Sequence, residues 1–373
     1  MGNRFLLGLA TCLALAESSA AFAQVQPVTA VNLWAESPVP RSGSTSVEVA
    51  VRLGRAGRIW YALYSDSAAG VSRAELRRDP APGDAALRRG QLVVASGDLG
   101  TPVSIRIEAL RPETTYRLLM TGEANDSGPA PPDQGRVLSF RVTLAPRIRS
   151  GSFQSRTVRG SVGYYVYIPE RYALHPEHPA PLLIFLHGIG ERGDGGAQLT
   201  KLSKHGPFRP IADGRELPMV MIAPQLPASL RQWPVELVDE VIAAARAGFP
   251  IDDARIYLTG LSTGADAGWA YAMRHPEKVA ALVSIAGNGD PTRVCAMREI
   301  AVWAFHGERD TDEKLEHEQR LVEALNACTP PPRWPARLTV YPRAGHNVWT
   351  ETYDGTGGYD IYSWLLEIRK PLS

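Results

Sequence analysis

The segment RIYLTGLSTG, residues 255–264, decides the fold because it joins an apolar stretch to a helical pattern through a glycine-flanked serine. Residues 256–259 are suited to a buried strand, and residues 263–274 have the periodicity of a helix. Between them lies Gly260-Leu261-Ser262-Thr263-Gly264. A strand, Gly-x-Ser-x-Gly and a helix in that order form a nucleophile elbow. The sequence therefore predicts that Ser262 stands on a tight turn between a strand and a helix.

The placement of this pentapeptide matters more than its letters. At average residue frequencies it occurs by chance in about one chain in ten of this length. A purely structural turn is the alternative interpretation. The small residues Gly264, Ala265 and Gly268 would let the following helix pass close to the sheet.

The second half of the chain alternates apolar stretches with helical patterns. Strands are predicted at 164–168, 182–186, 219–223, 256–259, 279–285, 302–305 and 338–341. Helices are predicted at 235–247, 263–274, 313–327 and 358–368. Near-continuous apolar strands separated by helices indicate a mainly parallel sheet covered on both faces. Residues 147–154 read as a linker in front of this domain.

A serine hydroxyl needs a neighbouring base, and on this kind of fold an acid and then a histidine follow the serine in the chain. Asp310 comes just after the predicted strand at 302–305 and is the best-placed acid. Three nearby carboxylates stay open as alternatives: Glu308, Asp312 and Glu313. His346 lies on a loop beyond a strand, whereas His317 falls within a predicted helix, so His346 is the candidate base.

An oxyanion formed at the substrate carbonyl needs backbone donors. The first candidate is the N–H of Thr263, directly after the serine. The second is the N–H of Ile189, because the predicted strand at 182–186 opens into a glycine-rich loop at 188–196. A charged surface turn is the alternative interpretation of that loop.

The first half of the chain, residues 28–145, is predicted to be an all-β domain of short strands separated by turn residues. Residues 105–119 (IRIEALRPETTYRLL) resemble the hallmark of fibronectin type III domains, in which Leu110, Pro112 and Tyr116 match. The resemblance implies an immunoglobulin- or fibronectin-like β-sandwich in which Tyr116 packs across a corner between sheets. An unrelated all-β module of the same length remains an alternative.

The N-terminus has the pattern of an export signal. Arg4 precedes an apolar run at 5–16, and Ala21-Phe22-Ala23 forms a small-x-small cleavage site. We therefore expect a signal peptide at 1–23 and a periplasmic or secreted protein. Cys12 lies inside the apolar run, which argues against a lipoprotein anchor.

The mature chain would keep Cys295 and Cys328, which form either a disulfide or two buried thiols. The net charge of +1 over 373 residues gives no indication of nucleic acid or an anionic membrane as a partner. No cluster of ligands has structural-zinc spacing, and no metal or cofactor is expected.

Residues 163–369 resemble the esterases of the polyhydroxybutyrate-depolymerase and "predicted peptidase" branch of the α/β-hydrolases. The matching stretches are YYVYIPERY (164–172), LLIFLHGIGERGD (182–194), IAPQ (222–225), RIYLTGLSTG (255–264), MRHPEKVAALVSIAGNGDP (273–291), VWAFHGERD (302–310) and YPRAGHNVWTETY (341–353). The resemblance implies an α/β-hydrolase fold over 152–373. It also implies Ser262 as nucleophile, Asp310 as acid, His346 as base, and Ile189 and Thr263 as oxyanion donors.

The chain departs from this pattern beside the serine. Thr263 stands where methionine is common, and Asp266 where an uncharged residue is usual. The backbone donor survives this change, but the shape of the pocket is left open. Trp233 and Trp349 occupy family-like positions, where they would either line a substrate pocket or pack in the core.

The resemblance implies an exported serine esterase acting through an acyl-enzyme, of the feruloyl, acetyl-xylan or polyester type. Its substrate would be a small-molecule or polysaccharide-linked ester. Two alternatives stay open: a serine peptidase that uses the same triad, and a non-catalytic protein that binds carbohydrate or a partner. The oligomeric state is not predicted.

Overall fold

The computed structural model describes residues 33–68, 71–79, 84–125, 130–131 and 133–371. The predicted signal peptide and Cys12 lie outside the described residues. The described chain forms two compact units. One unit draws on residues up to 40, 49–105 and 115–142, and the other on 41–48, 106–114 and 143 onward.

The N-terminal half is built from β-strands. These are β1 (Val39–Ser42), β2 (Val47–Val51), β3 (Gly57–Ser65), β4 (Arg88–Val94), β5 (Val103–Ile107), β6 (Thr115–Ala124) and β7 (Leu138–Thr143), with the short helix α1 (Arg73–Leu76). They form a three-stranded sheet in the order β1-β2-β5 and a four-stranded sheet in the order β4-β3-β6-β7. Strand β3 pairs antiparallel with β4 and β6.

The second unit contains an eight-stranded sheet in the order β15-β14-β13-β12-β10-β11-β9-β8. Its strands are β8 (Ile148–Ser155), β9 (Gly160–Tyr167), β10 (Ala180–Leu186), β11 (Val220–Pro224), β12 (Ile251–Leu261), β13 (Ala281–Ile285), β14 (Ala301–Gly307) and β15 (Arg337–Tyr341). The pairs from β11 to β15 are parallel, and β9 joins antiparallel to β11. Each of the seven predicted strands lies within or overlaps one of these.

Helices cover both faces of this sheet. They are α2 (Glu170–Leu174), α3 (Phe208–Ala212), α4 (Leu237–Gly248), α5 (Thr263–Arg274), α6 (Leu315–Asn326), α7 (Trp349–Asp354) and α8 (Ile361–Glu367). Side chains alternate across strand β10, so that Leu182 and Ile184 join one buried cluster while Leu183 and Phe185 join another. The strand is apolar on both sides because each face packs against helices.

The prediction of a linker at 147–154 was wrong, because residues 148–155 form strand β8. It pairs antiparallel with β9, from Ile148 opposite Tyr167 to Ser155 opposite Gly160. Strand β8 is the last strand of the sheet and has an exposed face. Its Arg, Ser, Gly and Gln residues give it the polar composition that is typical of a linker.

Residues 41–48 belong to the second unit, although the sequence placed them in the all-β domain. The buried carboxylate of Glu170 accepts hydrogen bonds from the backbone N–H and hydroxyl of Ser44 at 2.7 and 2.8 Å. It also accepts one from the hydroxyl of Ser46 at 2.6 Å. A buried charge is tolerated when donors surround it in this way, so these bonds hold the segment to α2.

Cys295 and Cys328 form a disulfide, with Cα atoms 5.6 Å apart. Cys295 lies in a short 3₁₀ helix (Val294–Met297), and Cys328 lies just beyond α6. In the described ranges, none of the helices has both the length and the apolar character needed to cross a bilayer.

Replacing both cysteines with serine is expected to lower stability. The bond closes a loop with a sequence separation of 33. Loss of such a cross-link is expected to reduce the free energy of unfolding by about 3 to 4 kcal/mol. Thermal melts of the wild type and of Cys295→Ser/Cys328→Ser, each with and without dithiothreitol, test this. The expectation fails if dithiothreitol leaves the Tm of the wild type unchanged.

Candidate active site

Ser262 stands between β12 and α5 with an unusual backbone. Its φ of 51° and ψ of −126° lie where a residue with a side chain is strained. Backbone hydrogen bonds on both sides of Ser262 stabilise this conformation. The Ser262 N–H donates to the carbonyl of Ile285 at 2.9 Å. The Ser262 carbonyl in turn accepts from the N–H groups of Ala265 and Asp266 at 2.8 and 3.1 Å. The turn is therefore fixed independently of what its side chain binds.

The two glycines of the motif are required by close approach. A Cβ on Gly260 would lie 2.3 Å from the carbonyl oxygen of Gly264. A Cβ on Gly264 would lie 2.0 Å from the carbonyl oxygen of Leu186 at the end of β10. No side chain fits at such distances, so helix α5 can begin directly above the sheet only with glycine at both positions.

His346 joins Ser262 to Asp310. Its Nε2 lies 3.0 Å from Oγ of Ser262, and its Nδ1 lies 2.7 Å from Oδ2 of Asp310. Because a carboxylate only accepts, Nδ1 carries the ring proton and Nε2 accepts the serine hydroxyl. The imidazole side chain is 19% exposed and the Asp310 carboxylate is fully buried. The structure thus brings together the serine, acid and histidine predicted from the sequence.

Asp310 is selected from the four candidate acids by its own backbone surroundings. Its Oδ1 accepts the N–H groups of Asp312 and Glu313 at 2.9 and 3.0 Å, which leaves Oδ2 facing His346. The Glu308 carboxylate instead accepts the N–H of Arg343 at 2.8 Å. The side chain of Glu313 contacts His317 at 2.9 Å, so neither glutamate is aimed at His346.

The loop after β10 lies beside the serine. Gly188 leads into a short 3₁₀ helix (Ile189–Glu191), and a Cβ on Gly188 would lie 3.7 Å from the carbonyl oxygen of Leu261. Within the described part of the chain, the N–H groups of Ile189 and Thr263 donate to no protein acceptor. For Thr263 this is expected, because the first N–H groups of a helix have no partner within the helix.

Buried His187 holds this loop in place. Its Nδ1 donates to the carbonyl of Gly188 at 2.6 Å, and its Nε2 accepts the N–H of Leu226 at 2.9 Å. Burial lowers the pKa of His187 to about 4, so the ring is neutral and can donate from one nitrogen and accept at the other. No role for His187 was predicted from the sequence.

Trp233 and Trp349, for which the sequence left pocket lining and core packing open, are more than nine-tenths buried and belong to hydrophobic core clusters. The indole N–H of Trp233 donates to the carbonyl of His187 at 3.0 Å, which supports the loop that carries Ile189. Trp349 packs edge-on against the ring of His346, with centroids 5.2 Å apart. Both tryptophans therefore support functional loops through contacts with their neighbours.

Gln225, the last residue of the IAPQ motif, fixes the far part of the same loop. Its Oε1 accepts the N–H of Gly195 at 2.9 Å. Its Nε2 donates to the carbonyls of Glu191 and Gln198 at 2.9 and 2.8 Å. In the sequence Gln225 contributes only to a family resemblance, although its place after a buried strand could have indicated a role at the sheet edge.

Asp266, the charged departure from the family pattern, lies one turn into α5. Its Oδ1 accepts the N–H of Asn288 at 2.7 Å. Burial, with the nearby charges of Glu313 and Glu318, raises the pKa of the Asp266 carboxyl to about 7. Near neutral pH this carboxyl therefore exchanges a proton close to His346.

Asp310, Asp312 and His346 are close enough to be considered as metal ligands, with candidate atoms within 4.8 Å of one another. Both ring nitrogens of His346 are already engaged, one with Asp310 and one with Ser262. The cluster is accounted for by the triad, and a metal would have to displace one of these bonds.

No protein-family model matches the sequence, and no curated protein matches it as a relative. Among solved structures, a thermostable esterase is 19% identical with a TM-score of 0.50, covering 87% of this chain and 96% of that one. A ferulic acid esterase (17% identity, TM-score 0.45) covers 59% of this chain and 97% of its own. An S-formylglutathione hydrolase from Agrobacterium tumefaciens (16% identity, TM-score 0.44) covers 59% and 94%.

The likeness to the thermostable esterase concerns the fold. Together with the eight-stranded, mostly parallel sheet, it confirms the prediction of an α/β-hydrolase-type fold for the second half of the chain.

Replacing Asp266 with asparagine is expected to change how stability depends on pH. In the unfolded chain an aspartate loses its proton near pH 4, whereas in the folded protein Asp266 keeps it until about pH 7. The unfolded state thus binds fewer protons between these values, and Asp266 makes stability fall as pH rises through this window. Thermal melts at pH 5 and pH 8 should show a smaller fall for Asp266→Asn than for the wild type.

Asp213→Asn is the matched control, because Asp213 is exposed at the end of α3. An equal fall of Tm in Asp266→Asn and in the wild type would contradict the assignment of a raised pKa to Asp266.

Proposed function

We propose that this protein is a serine esterase that hydrolyses carboxylic esters through Ser262, His346 and Asp310. One observation carries the proposal. An unbroken hydrogen-bonded line runs from Oγ of Ser262 through both ring nitrogens of His346 to Oδ2 of Asp310, with separations of 3.0 and 2.7 Å. It starts at a serine held on a strained turn between a strand and a helix, which is the geometry of a nucleophile elbow.

In the first half-reaction, Ser262 Oγ attacks the ester carbonyl while His346 Nε2 takes the hydroxyl proton. The new imidazolium is stabilised by Asp310, which already accepts the Nδ1 proton. Collapse of the tetrahedral intermediate breaks the bond to the alkoxy oxygen, and Nε2 returns its proton to that oxygen. The products are a free alcohol and an ester between Ser262 and the acyl group.

In the second half-reaction, water replaces the alcohol. His346 Nε2 removes a proton from the water as its oxygen attacks the acyl carbonyl. When the bond to Ser262 Oγ breaks, Nε2 gives the proton back to the serine. The carboxylic acid leaves, and the enzyme regains its starting protonation state.

The N–H groups of Thr263 and Ile189 are proposed to bind the oxyanion of both intermediates. Thr263 follows the nucleophile at the start of α5, where the helix dipole also favours negative charge. Ile189 lies on the loop that His187, Trp233 and Gln225 fix by buried hydrogen bonds. Such fixed donors need no reorganisation when charge develops.

The finer assignments remain proposals that rest on the sequence. The motifs resemble those of the polyhydroxybutyrate-depolymerase and predicted-peptidase branch, which suggests esters of the feruloyl, acetyl-xylan or polyester class as substrates. We further propose that the N-terminal strands form an immunoglobulin- or fibronectin-like sandwich, in which Leu110 and Tyr116 are buried at 7% and 5% exposure. The leader pattern at 1–23 supports export to the periplasm or beyond.

Replacing Ser262 with alanine is expected to abolish ester hydrolysis while the protein stays folded. Loss of a triad nucleophile typically lowers kcat by about 10⁴-fold or more. The measurement is hydrolysis of short p-nitrophenyl esters, together with labelling by a fluorophosphonate. Ser150→Ala, which changes an exposed serine on β8, is the matched control and should keep full activity and labelling. The proposal would be refuted if folded Ser262→Ala kept more than a tenth of the wild-type rate.

The pH dependence of activity gives a separate expectation. Because Nε2 of His346 must accept a proton, activity should fall at acidic pH, where protonation of this nitrogen removes the acceptor. Initial rates of kcat/KM on p-nitrophenyl acetate between pH 4 and 9 test this, with circular dichroism at each pH to show that the fold persists. A flat profile down to pH 4 would speak against His346 as the base.

A further inference from the structure

Two fully buried ionisable side chains lie directly behind the triad acid. His306, in β14, and Glu318, in α6, both have 0% exposure. Nδ1 of His306 lies 2.7 Å from Oε2 of Glu318. Nε2 of His306 lies 2.9 Å from the carbonyl oxygen of Glu313 and 3.3 Å from Oδ2 of Asp310. The line of the triad thus continues from Asp310 through His306 to Glu318.

The partners of His306 determine where its protons lie. A backbone carbonyl can only accept, so Nε2 carries a proton, and this N–H also faces Asp310. Glu318 is surrounded by donors. Oγ of Ser284 accepts the indole N–H of Trp269, and the hydroxyl proton of Ser284 is donated to Glu318. The N–H of Gly287 also donates to Glu318, at 3.3 Å. A carboxylate so surrounded accepts from Nδ1, which makes His306 an imidazolium.

The electrostatic balance agrees with this assignment. Burial alone would lower the pKa of His306, but the hydrogen bond and charge of Glu318, the carbonyl of Glu313 and the charge of Asp310 outweigh burial and raise it. The pKa of the Glu318 carboxyl is raised, because the effect of burial exceeds that of the hydrogen bonds that the carboxylate accepts. The pair therefore shares one proton and is neutral as a whole, with its N–H end directed at the triad.

We propose that His306 and Glu318 are positioning residues for the triad: Glu318 keeps His306 protonated on both nitrogens, and His306 presents an N–H and a positive charge to Oδ2 of Asp310. This inference rests on the proposed function. The same oxygen then accepts from both histidines, while Oδ1 accepts two backbone N–H groups. The acid is fixed in one orientation, and the positive charge behind it opposes protonation of His346.

Other titratable groups surround this array and must be controlled. Asp266 on α5 interacts electrostatically with both Glu318 and His346, and it titrates near neutral pH. Glu313 and His317 form a hydrogen-bonded pair on the solvent side, and Asp312 lies beside Asp310 and His346. Because Asp266 would respond to any change at Glu318, the experiment is best made in an Asp266→Asn background.

The test is the pH profile of kcat/KM for Glu318→Gln in that background. Without the anion, His306 loses its second proton, and the positive charge nearest His346 disappears. His346 is then protonated more easily, so the midpoint of the acidic limb should move to higher pH by roughly half a unit or more. At the pH optimum, kcat should fall more than KM changes, because the orientation of Asp310 matters once the imidazolium forms.

Ser284→Ala provides a second variant that keeps both members of the pair. It removes one hydrogen-bond donor to the Glu318 carboxylate, so the anionic form of Glu318 is less stable. The midpoint of the acidic limb should therefore move in the same direction by a smaller amount. Tyr257→Phe is the control for a merely structural loss. It removes a buried hydrogen bond of 2.9 Å to the carbonyl of Ile368, and in the described part of the chain the Tyr257 hydroxyl makes no hydrogen bond to Ser262, Asp310 or His346. It should lower the Tm and leave the midpoint in place.

The inference is overturned if the midpoints of Glu318→Gln and Ser284→Ala match that of Tyr257→Phe. Should Glu318→Gln fail to fold, Ser284→Ala alone decides between the two outcomes. Failure of the proposed function looks different. In that case the parent protein has no fluorophosphonate-reactive Ser262 and no ester hydrolysis, and there is no acidic limb to compare.

Discussion

The hydrogen bond from the N–H of Ser262 to the carbonyl of Ile285 joins the ends of β12 and β13 and holds a serine in a left-handed backbone conformation. This constraint sets the requirements on the neighbouring chain. Gly260 and Gly264 must lack side chains because carbonyl oxygens of Gly264 and Leu186 fill the space in which a Cβ would lie. The hydroxyl of Ser262 is thus presented by backbone packing in the sheet, and the side chains hydrogen-bonded in line with it, His346 and Asp310, come from other loops.

The sequence was sufficient for the elbow and for the strands and longer helices around it, because their patterns are local, whereas strand β8 and the short helices α2, α3 and α7 were not predicted. Residues 263–274 were predicted as a helix and form α5 with the same bounds, since apolar periodicity and the small residues agree there. The choice of Asp310 as the acid could not be made from local sequence in the same way. Glu308, Asp312 and Glu313 could not be dismissed from the residues, because the choice depends on which carboxylate has its backbone neighbours as donors. In the structure, the N–H groups of Asp312 and Glu313 hold one oxygen of Asp310, and the other oxygen faces His346.

The features that were wrongly predicted or missed from the sequence also have physical explanations. Strand β8 has only two large apolar residues, Ile148 and Phe153, since an edge strand with an exposed face needs few, and its composition is that of a linker. The hydrogen bonds of His187 and Trp233 were also not predicted. His187 accepts the N–H of Leu226, and Trp233 donates to the carbonyl of His187, across sequence separations of 39 and 46. Periodicity carries no information about such long-range polar contacts.

His187 and His306 show how the fold gives one residue type two charge states. Both rings are buried, close to the ends of the parallel strands β10 and β14, and each has one nitrogen directed at a backbone carbonyl. The difference is the second nitrogen. In His187 it meets the N–H of Leu226, a donor, so the ring must stay neutral. In His306 it meets the carboxylate of Glu318, an acceptor, so the ring takes a second proton. The charged ring lies behind Asp310 and the neutral ring behind the loop of Ile189, where the carboxylate of Glu191, 4.0 Å from Nδ1 of His187, lies beyond hydrogen-bonding distance.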